Sequence, residues 1–198
     1  MLKTIFFDCD GVVVLSRQRF TDKFAKEFDV PPQKIKPFFE GAFLHCKLGR
    51  ADLKQELQKY LPDWGWTKSA DELLAYWFAN ENSADRQLVD YIRGLRARGI
   101  RCFLAANQEK YRSEYLYYHL ALGTIFDDIF PSYRVGFLKT QPEFWQSVYN
   151  FNMGNKREVL AVDDDPEAVS AARKFGFYGH NYVSLKDLQI EVEGLLKV

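Results

Sequence analysis

Short apolar runs alternate with helical patterns along most of this chain, and that alternation limits the fold more than any single residue does. Strand-like runs stand at residues 3–7, 100–106, 159–162 and 179–183, with a weaker one at 125–130. Between them lie helical patterns at 85–98, 110–120, 142–151, 166–175 and 185–196. Every strand is short and apolar in character, which is the pattern of a parallel sheet covered by helices on both faces. Gly99, after the helical run that ends in Arg98, supplies a stop signal before the next strand. The expected class is therefore α/β, a Rossmann-like doubly wound parallel sheet.

Residues 16–84 break the rhythm. Helical segments are expected at 17–28, 32–39, 51–60 and 70–78, with no convincing strand among them. Breaks fall at Pro31-Pro32, at Gly49 and in the Pro62–Gly65 turn. An all-helical insert after the first strand predicts two units: an α/β core of residues 1–15 and 85–198, and a helical cap of residues 16–84. The cap would lie over the carboxyl ends of the strands, where open α/β sheets bind their ligands.

Two acidic clusters occupy that edge. The stretch TIFFDCDGVVVL at residues 4–15 sets Asp8 and Asp10 at the end of the first strand. Alternation along the strand sends both carboxylates the same way. The stretch VLAVDDDPEAV at residues 159–169 repeats the arrangement. There Asp165 is explained as a helix N-cap, with Pro166 at the first helical position and Glu167 in the first turn. Capping leaves Asp163 and Asp164 unexplained. Buried unpaired carboxylates are expensive, so such acids have a partner, a metal or a task.

Composition narrows the options. At 198 residues, 47% of them hydrophobic, the chain can bury one sizeable core, with or without a smaller module. A formal net charge of zero gives no electrostatic case for nucleic acid or an anionic membrane as partner. No apolar run reaches the length of a membrane span, and no signal peptide is expected at an N-terminus that enters a strand pattern directly. Three scattered cysteines, Cys9, Cys46 and Cys102, read as reduced thiols of a cytoplasmic protein. Three dispersed histidines argue against zinc.

In order, the chain carries DxDG near its start, a small-polar motif after a middle strand, a lysine before a helix, and two adjacent acids after a later strand. This set resembles the haloacid dehalogenase-like hydrolase superfamily over essentially the whole chain, and the insert resembles that superfamily's small helical cap. The second acid, Asp10, is similar to the phosphatase and phosphomutase branch and disfavours dehalogenation. The resemblance implies a Mg²⁺-dependent phosphatase acting on a small phosphorylated metabolite such as a sugar phosphate. Asp8 would attack phosphorus and form an aspartyl-phosphate, and Asp10 would protonate the leaving alkoxide and then activate water. Lys139 would neutralise Asp8 and a phosphoryl oxygen. Asp8, the backbone carbonyl of Asp10 and Asp164 would hold the metal with support from Asp163, the division between the two adjacent acids staying open. A cation also answers the repulsion among four carboxylates, about 3 kcal/mol for each pair at about 5 Å in an effective dielectric near 20. An all-oxygen donor set favours Mg²⁺ over Zn²⁺.

One position departs from the pattern. The stretch CFLAANQEKYR at residues 102–112 has Ala106 where the superfamily places a threonine or serine to bind phosphate, leaving Asn107 as donor. Thr140 stands where a proline is common. In the cap, His45, Lys47 and Arg50 follow an aromatic cluster and are candidates for substrate contact. Two other readings stay open: a phosphomutase similar to beta-phosphoglucomutase, and a catalytically weakened member that binds a phospho-ligand. The first loses ground because residues 16–29 contain no histidine. Oligomeric state and substrate identity are not legible.

Overall fold

A computed structural model describes residues 1–16, 18–151 and 154–197. Its main sheet has five parallel strands: β1 (Thr4–Phe7), β4 (Arg101–Ala106), β5 (Asp128–Pro131), β6 (Val159–Asp163) and β7 (Tyr178–Asn181), in the order β5-β4-β1-β6-β7. Two short strands, β2 (Val14–Leu15) and β3 (Ser83–Ala84), pair antiparallel where the chain leaves and re-enters this layer. That pair has no counterpart among the expected strands, because two residues are too few to show alternation.

Both faces of the sheet are buried, so its strands lack a polar face. Ile5 and Phe7 look one way, into a core with Leu104, Leu160 and Val162. That face is covered by α6 (Arg86–Ala97) and α12 (Leu185–Leu196), through Leu88, Ile92, Leu188 and Val192. Phe6 looks the other way, packing with Phe103 and Ala161 against α10 (Pro142–Tyr149) and α11 (Pro166–Phe175). Asp165 caps α11 by accepting from the Glu167 N–H at 2.9 Å, and Pro166 starts the helix. The remaining helices of this layer are α7 (Lys110–Tyr118), α8 (Leu122–Ile125) and α9 (Ser132–Val135). The weak strand expected from residue 125 starts at Asp128 instead, because the segment before it closes a turn of helix.

Among the described residues, five helices run between β2 and β3: α1 (Phe20–Glu27), α2 (Pro32–Glu40), α3 (Ala42–Lys47), α4 (Leu53–Gln58) and α5 (Ala70–Asn80). The first begins three residues later than the sequence suggests, and Arg17 lies outside the described residues. The α3 helix falls between the expected segments 32–39 and 51–60 and has no counterpart among them. These helices close around their own aromatic core of Phe20, Phe24, Phe38, Trp64, Trp66 and Trp77. Among the described residues no helix is long and apolar enough to cross a membrane. All three cysteines are unpaired and buried.

Candidate active site

Register builds the centre of the site. Phe7 pairs with Val162 across β1 and β6, so the next residues in line are Asp8 and Asp163. The Asp8 N–H continues the ladder by donating to the Val162 carbonyl at 2.9 Å. Beyond it the chain turns sharply, with the Val13 and Val14 N–H groups both donating to the Cys9 carbonyl. Gly11 sits in that turn at φ +87°, and a Cβ there would stand 2.2 Å from a carboxylate oxygen of Asp164. Glycine is thus required twice over, for backbone conformation and for the approach of the acid.

Asp8, Asp163 and Asp164 each offer an oxygen within one 4.8 Å group. Lys139 is buried among them, 3% exposed. Its Nζ donates to Asp8 Oδ1 and lies 2.7 Å from Asp163 Oδ2. The lysine's own backbone is fixed on both sides: its N–H donates to Asn107 Oδ1 at 2.9 Å, and its carbonyl accepts from the Trp145 indole at 2.7 Å. Asp163 has its other oxygen engaged by the Asp165 N–H at 3.0 Å.

Electrostatics match that crowding. Burial pushes the Asp8 carboxyl up to about 7, with Lys139 pulling it down and Asp163 adding to the rise. Burial and the neighbouring Asp163 also raise Asp164. Burial works to lower Lys139, but Asp8 and Asp163 outweigh it and hold the ammonium charged. Three carboxylates against one ammonium leave a net negative hollow built of oxygens. That is a fitting bed for a hard divalent cation.

Asp10 stands apart from this group. Its side chain is half exposed, with Oδ2 accepting from Gln108 Nε2 and Oδ1 at 3.6 Å from Arg112 Nη2. It faces a cavity of about 140 Å³ whose walls include Lys47, Trp77, Phe78, Glu81, Gln108 and Arg112. The helical segment therefore overhangs the acids. Ser132 Oγ ties the two parts by donating to the Lys47 carbonyl at 2.7 Å, and Tyr111 OH donates to Asp52 at 2.6 Å. Gly49, at φ +69°, lets α3 run so close to α9 that a Cβ would lie 2.3 Å from the Tyr133 carbonyl oxygen.

The residues singled out in the sequence are distributed unevenly. Asp8, Lys139, Asp163 and Asp164 converge, while Asp10 and Asn107 line the neighbouring cavity, Asn107 also accepting from the Lys139 N–H. Ala106 is buried in the apolar layer with Leu104 and brings no polar atom. Of the three cap candidates, Lys47 lines the cavity beside Asp10, and burial lowers its pKa. Arg50 borders a separate hollow with Asp52 and Tyr111, and His45 is exposed at neither. Sequence reasoning missed Gln108, Arg112 and Glu81. All three look like ordinary helix-surface residues, and only their place after β4 or at the end of α5 brings them inward.

A family model described as haloacid dehalogenase-like hydrolase matches residues 2–176. The chain is 26% identical over 187 residues to a D-ribitol-5-phosphate phosphatase of Bacteroides thetaiotaomicron, covering 89% of this chain and 90% of that protein. An HAD-like family hydrolase from Porphyromonas gingivalis shares the fold with a TM-score of 0.84 at 20% identity, covering 100% of this chain and 99% of the other. A family enzyme of B. thetaiotaomicron, solved with magnesium and inorganic phosphate, superposes with a TM-score of 0.79 at 19% identity over 93% of this chain and 96% of its own. The chain belongs to the haloacid dehalogenase-like hydrolase family.

Proposed function

We propose that this chain is a Mg²⁺-dependent phosphoric monoester hydrolase that cleaves the phosphate ester of a small polyhydroxylated metabolite through an aspartyl-phosphate on Asp8. The observation that carries the reading is the pairing of Lys139 with Asp8 beside Asp163 and Asp164, with Asp10 on the open side. Asp8, Asp164 and the Asp10 carbonyl would hold Mg²⁺, which would supply positive charge against the phosphoryl oxygens. Asp163, with one oxygen on Lys139 and the other on a backbone N–H, serves to place the lysine.

A carboxylate oxygen of Asp8 attacks phosphorus while the ester P–O bond breaks. The proton of Asp10 passes to the departing oxygen and gives the free alcohol. Water then attacks the phosphorus of the acyl phosphate, its proton returns to Asp10, and inorganic phosphate leaves with Asp8 restored. Lys139 stands where negative charge gathers in both steps. Ala106 supplies no hydroxyl, so Lys139 and the Asn107 amide carry the phosphate contacts. The ribitol phosphate ester named for the relative supports a polyol-type substrate.

Hydrolysis of an aryl phosphate with Mg²⁺ and with chelator tests this reading, in the wild type and in Asp8→Asn. The amide has nearly the carboxylate's shape but is a poor nucleophile, so kcat should fall by about a thousandfold or more. Chelation should abolish wild-type turnover. Undiminished activity in a folded Asp8→Asn protein would sink the mechanism.

A further inference from the structure

Arg112 is the charged residue that folding alone explains least. It lies in the first turn of α7 and is 3% exposed. A buried guanidinium is expensive unless its charge and its N–H groups are matched. Here the match is incomplete. Nη2 donates to the Glu81 backbone carbonyl, and the rings of Phe78 and Tyr115 lie 5.5 Å from the guanidinium carbon. Its ion-pair partner is Asp10, 3.6 Å away, beyond hydrogen-bond reach, and itself half exposed, with the Glu81 carboxylate close enough to feel its charge. Nη1 is buried with no hydrogen-bond partner among the described residues.

Arg112 borders the small cavity with Asp10, Lys47, Trp77, Phe78 and Gln108. This space lies between Asp10 and the helical segment, on the side to which an alcohol leaves when Asp10 protonates it. Its charges are mixed. Lys47 and Arg112 face Asp10 and Glu81, so no cationic excess awaits a second phosphate or a carboxylate. Hydrogen-bond donors and acceptors beside aromatic faces suit a neutral chain carrying hydroxyl groups.

We propose that Arg112 binds the alcohol half of the substrate, donating to hydroxyl groups of a neutral polyol-type chain whose C–H faces rest on Trp77 and Phe78. The inference builds on the phosphatase reading, in which the phosphate sits at Asp8 and the leaving oxygen at Asp10. It makes Arg112 a specificity residue, distinct from the groups that touch phosphorus.

The test compares three ligands by calorimetry in the presence of Mg²⁺: the non-hydrolysable phosphonate of a pentitol 5-phosphate, pentylphosphonate, and inorganic phosphate. The wild type should bind the pentitol phosphonate more tightly than pentylphosphonate. Arg112→Gln should weaken the pentitol phosphonate by about ten- to a hundredfold while moving the other two less than about threefold. Arg112→Lys, which keeps the charge but loses the fork, should fall between. Equal weakening of all three ligands would assign Arg112 to folding or to holding Asp10, and would overturn the proposal. Should both variants fail to fold, the wild type decides alone: no preference for the hydroxylated phosphonate refutes an alcohol site. Binding needs no turnover, so a wild type inactive on aryl phosphate would remove the phosphatase reading while these affinities still judge Arg112.

Discussion

The α/β layer and the helical segment over it bury opposite kinds of side chain. Every buried polar or charged residue among those described lies in the α/β layer, Asp8, Glu109, Arg112, Lys139 and Asp163 included. The helices between Phe20 and Asn80 bury phenylalanine, tryptophan and leucine instead. On the proposed function, buried charge in the layer serves chemistry at a cost to the fold, whereas the helical segment gains from packing. Damage to the first should depend on metal and proton; damage to the second should depend on neither.

Lys139→Met is expected to break that contrast most severely. The change leaves Asp8 and Asp163 buried together with no ammonium between them. Removing one partner of a buried pair destabilises by about 3–5 kcal/mol. The loss should be largest with chelator present and should shrink when Mg²⁺ is added, since a cation can take over part of the neutralisation. Turnover of an aryl phosphate should fall at least about a hundredfold, because charge developing on the phosphoryl group loses its fixed counter-ion. Urea unfolding with and without Mg²⁺ reads the first effect. A stability loss of the same size in both conditions would separate Lys139 from the metal bed.

Trp64→Ala probes the other region. Trp64 is buried against Phe24, Phe38 and Tyr60, and its indole donates to the Lys34 carbonyl at 2.9 Å. Truncation should cost about 3–5 kcal/mol through the cavity and the orphaned carbonyl. Unlike the lysine variant, it should lose the same amount with and without Mg²⁺. The kcat of the folded fraction should stay within about threefold of wild type, as no atom of Trp64 borders the cavity at Asp10. A large fall in kcat without unfolding would mean that the helical core tunes the chemistry directly.

How much of this could be read beforehand follows from the same contrast. The parallel sheet was legible because strands buried on both faces are uniformly apolar, and β1, β4 and β6 fall within a residue of their apolar runs. Asp8, Asp163 and Asp164 were legible because acids at the end of such a run have few structural excuses. The partners that complete the site were not. Gln108 and Arg112 follow β4 in a polar stretch, and nothing local distinguishes an inward from an outward arginine on α7. Lys47 was one of three similar cap candidates, and only the docking of α3 on Ser132 selected it. Proximity across the chain decides these roles, and a single sequence does not carry it.

The smallest expected effect sharpens the comparison through a proton. Glu109 caps α7, accepting from the Tyr111 N–H at 2.7 Å and from the Arg112 N–H. Burial pushes its carboxyl up to about 7 against the pull of those two bonds, with Glu114 and Asp52 adding to the rise. The folded protein thus holds this proton more tightly than the unfolded chain, whose carboxyl titrates near the ordinary value of 4.5. Stability from this group is therefore lost as pH rises from about 4.5 to about 7, and is level above that window. Glu109→Gln keeps an accepting oxygen at the cap and carries no charge, so it escapes the loss. Relative to wild type, the variant should gain on the order of 1–3 kcal/mol between pH 5 and pH 8, a range set by the size of such shifts. Urea midpoints of both proteins at the two pH values, with chelator present so that the metal bed is identical, measure the difference. If the gap between the two proteins does not change with pH, Glu109 is ionised throughout, and the buried charge of the α/β layer is better solvated than its position implies.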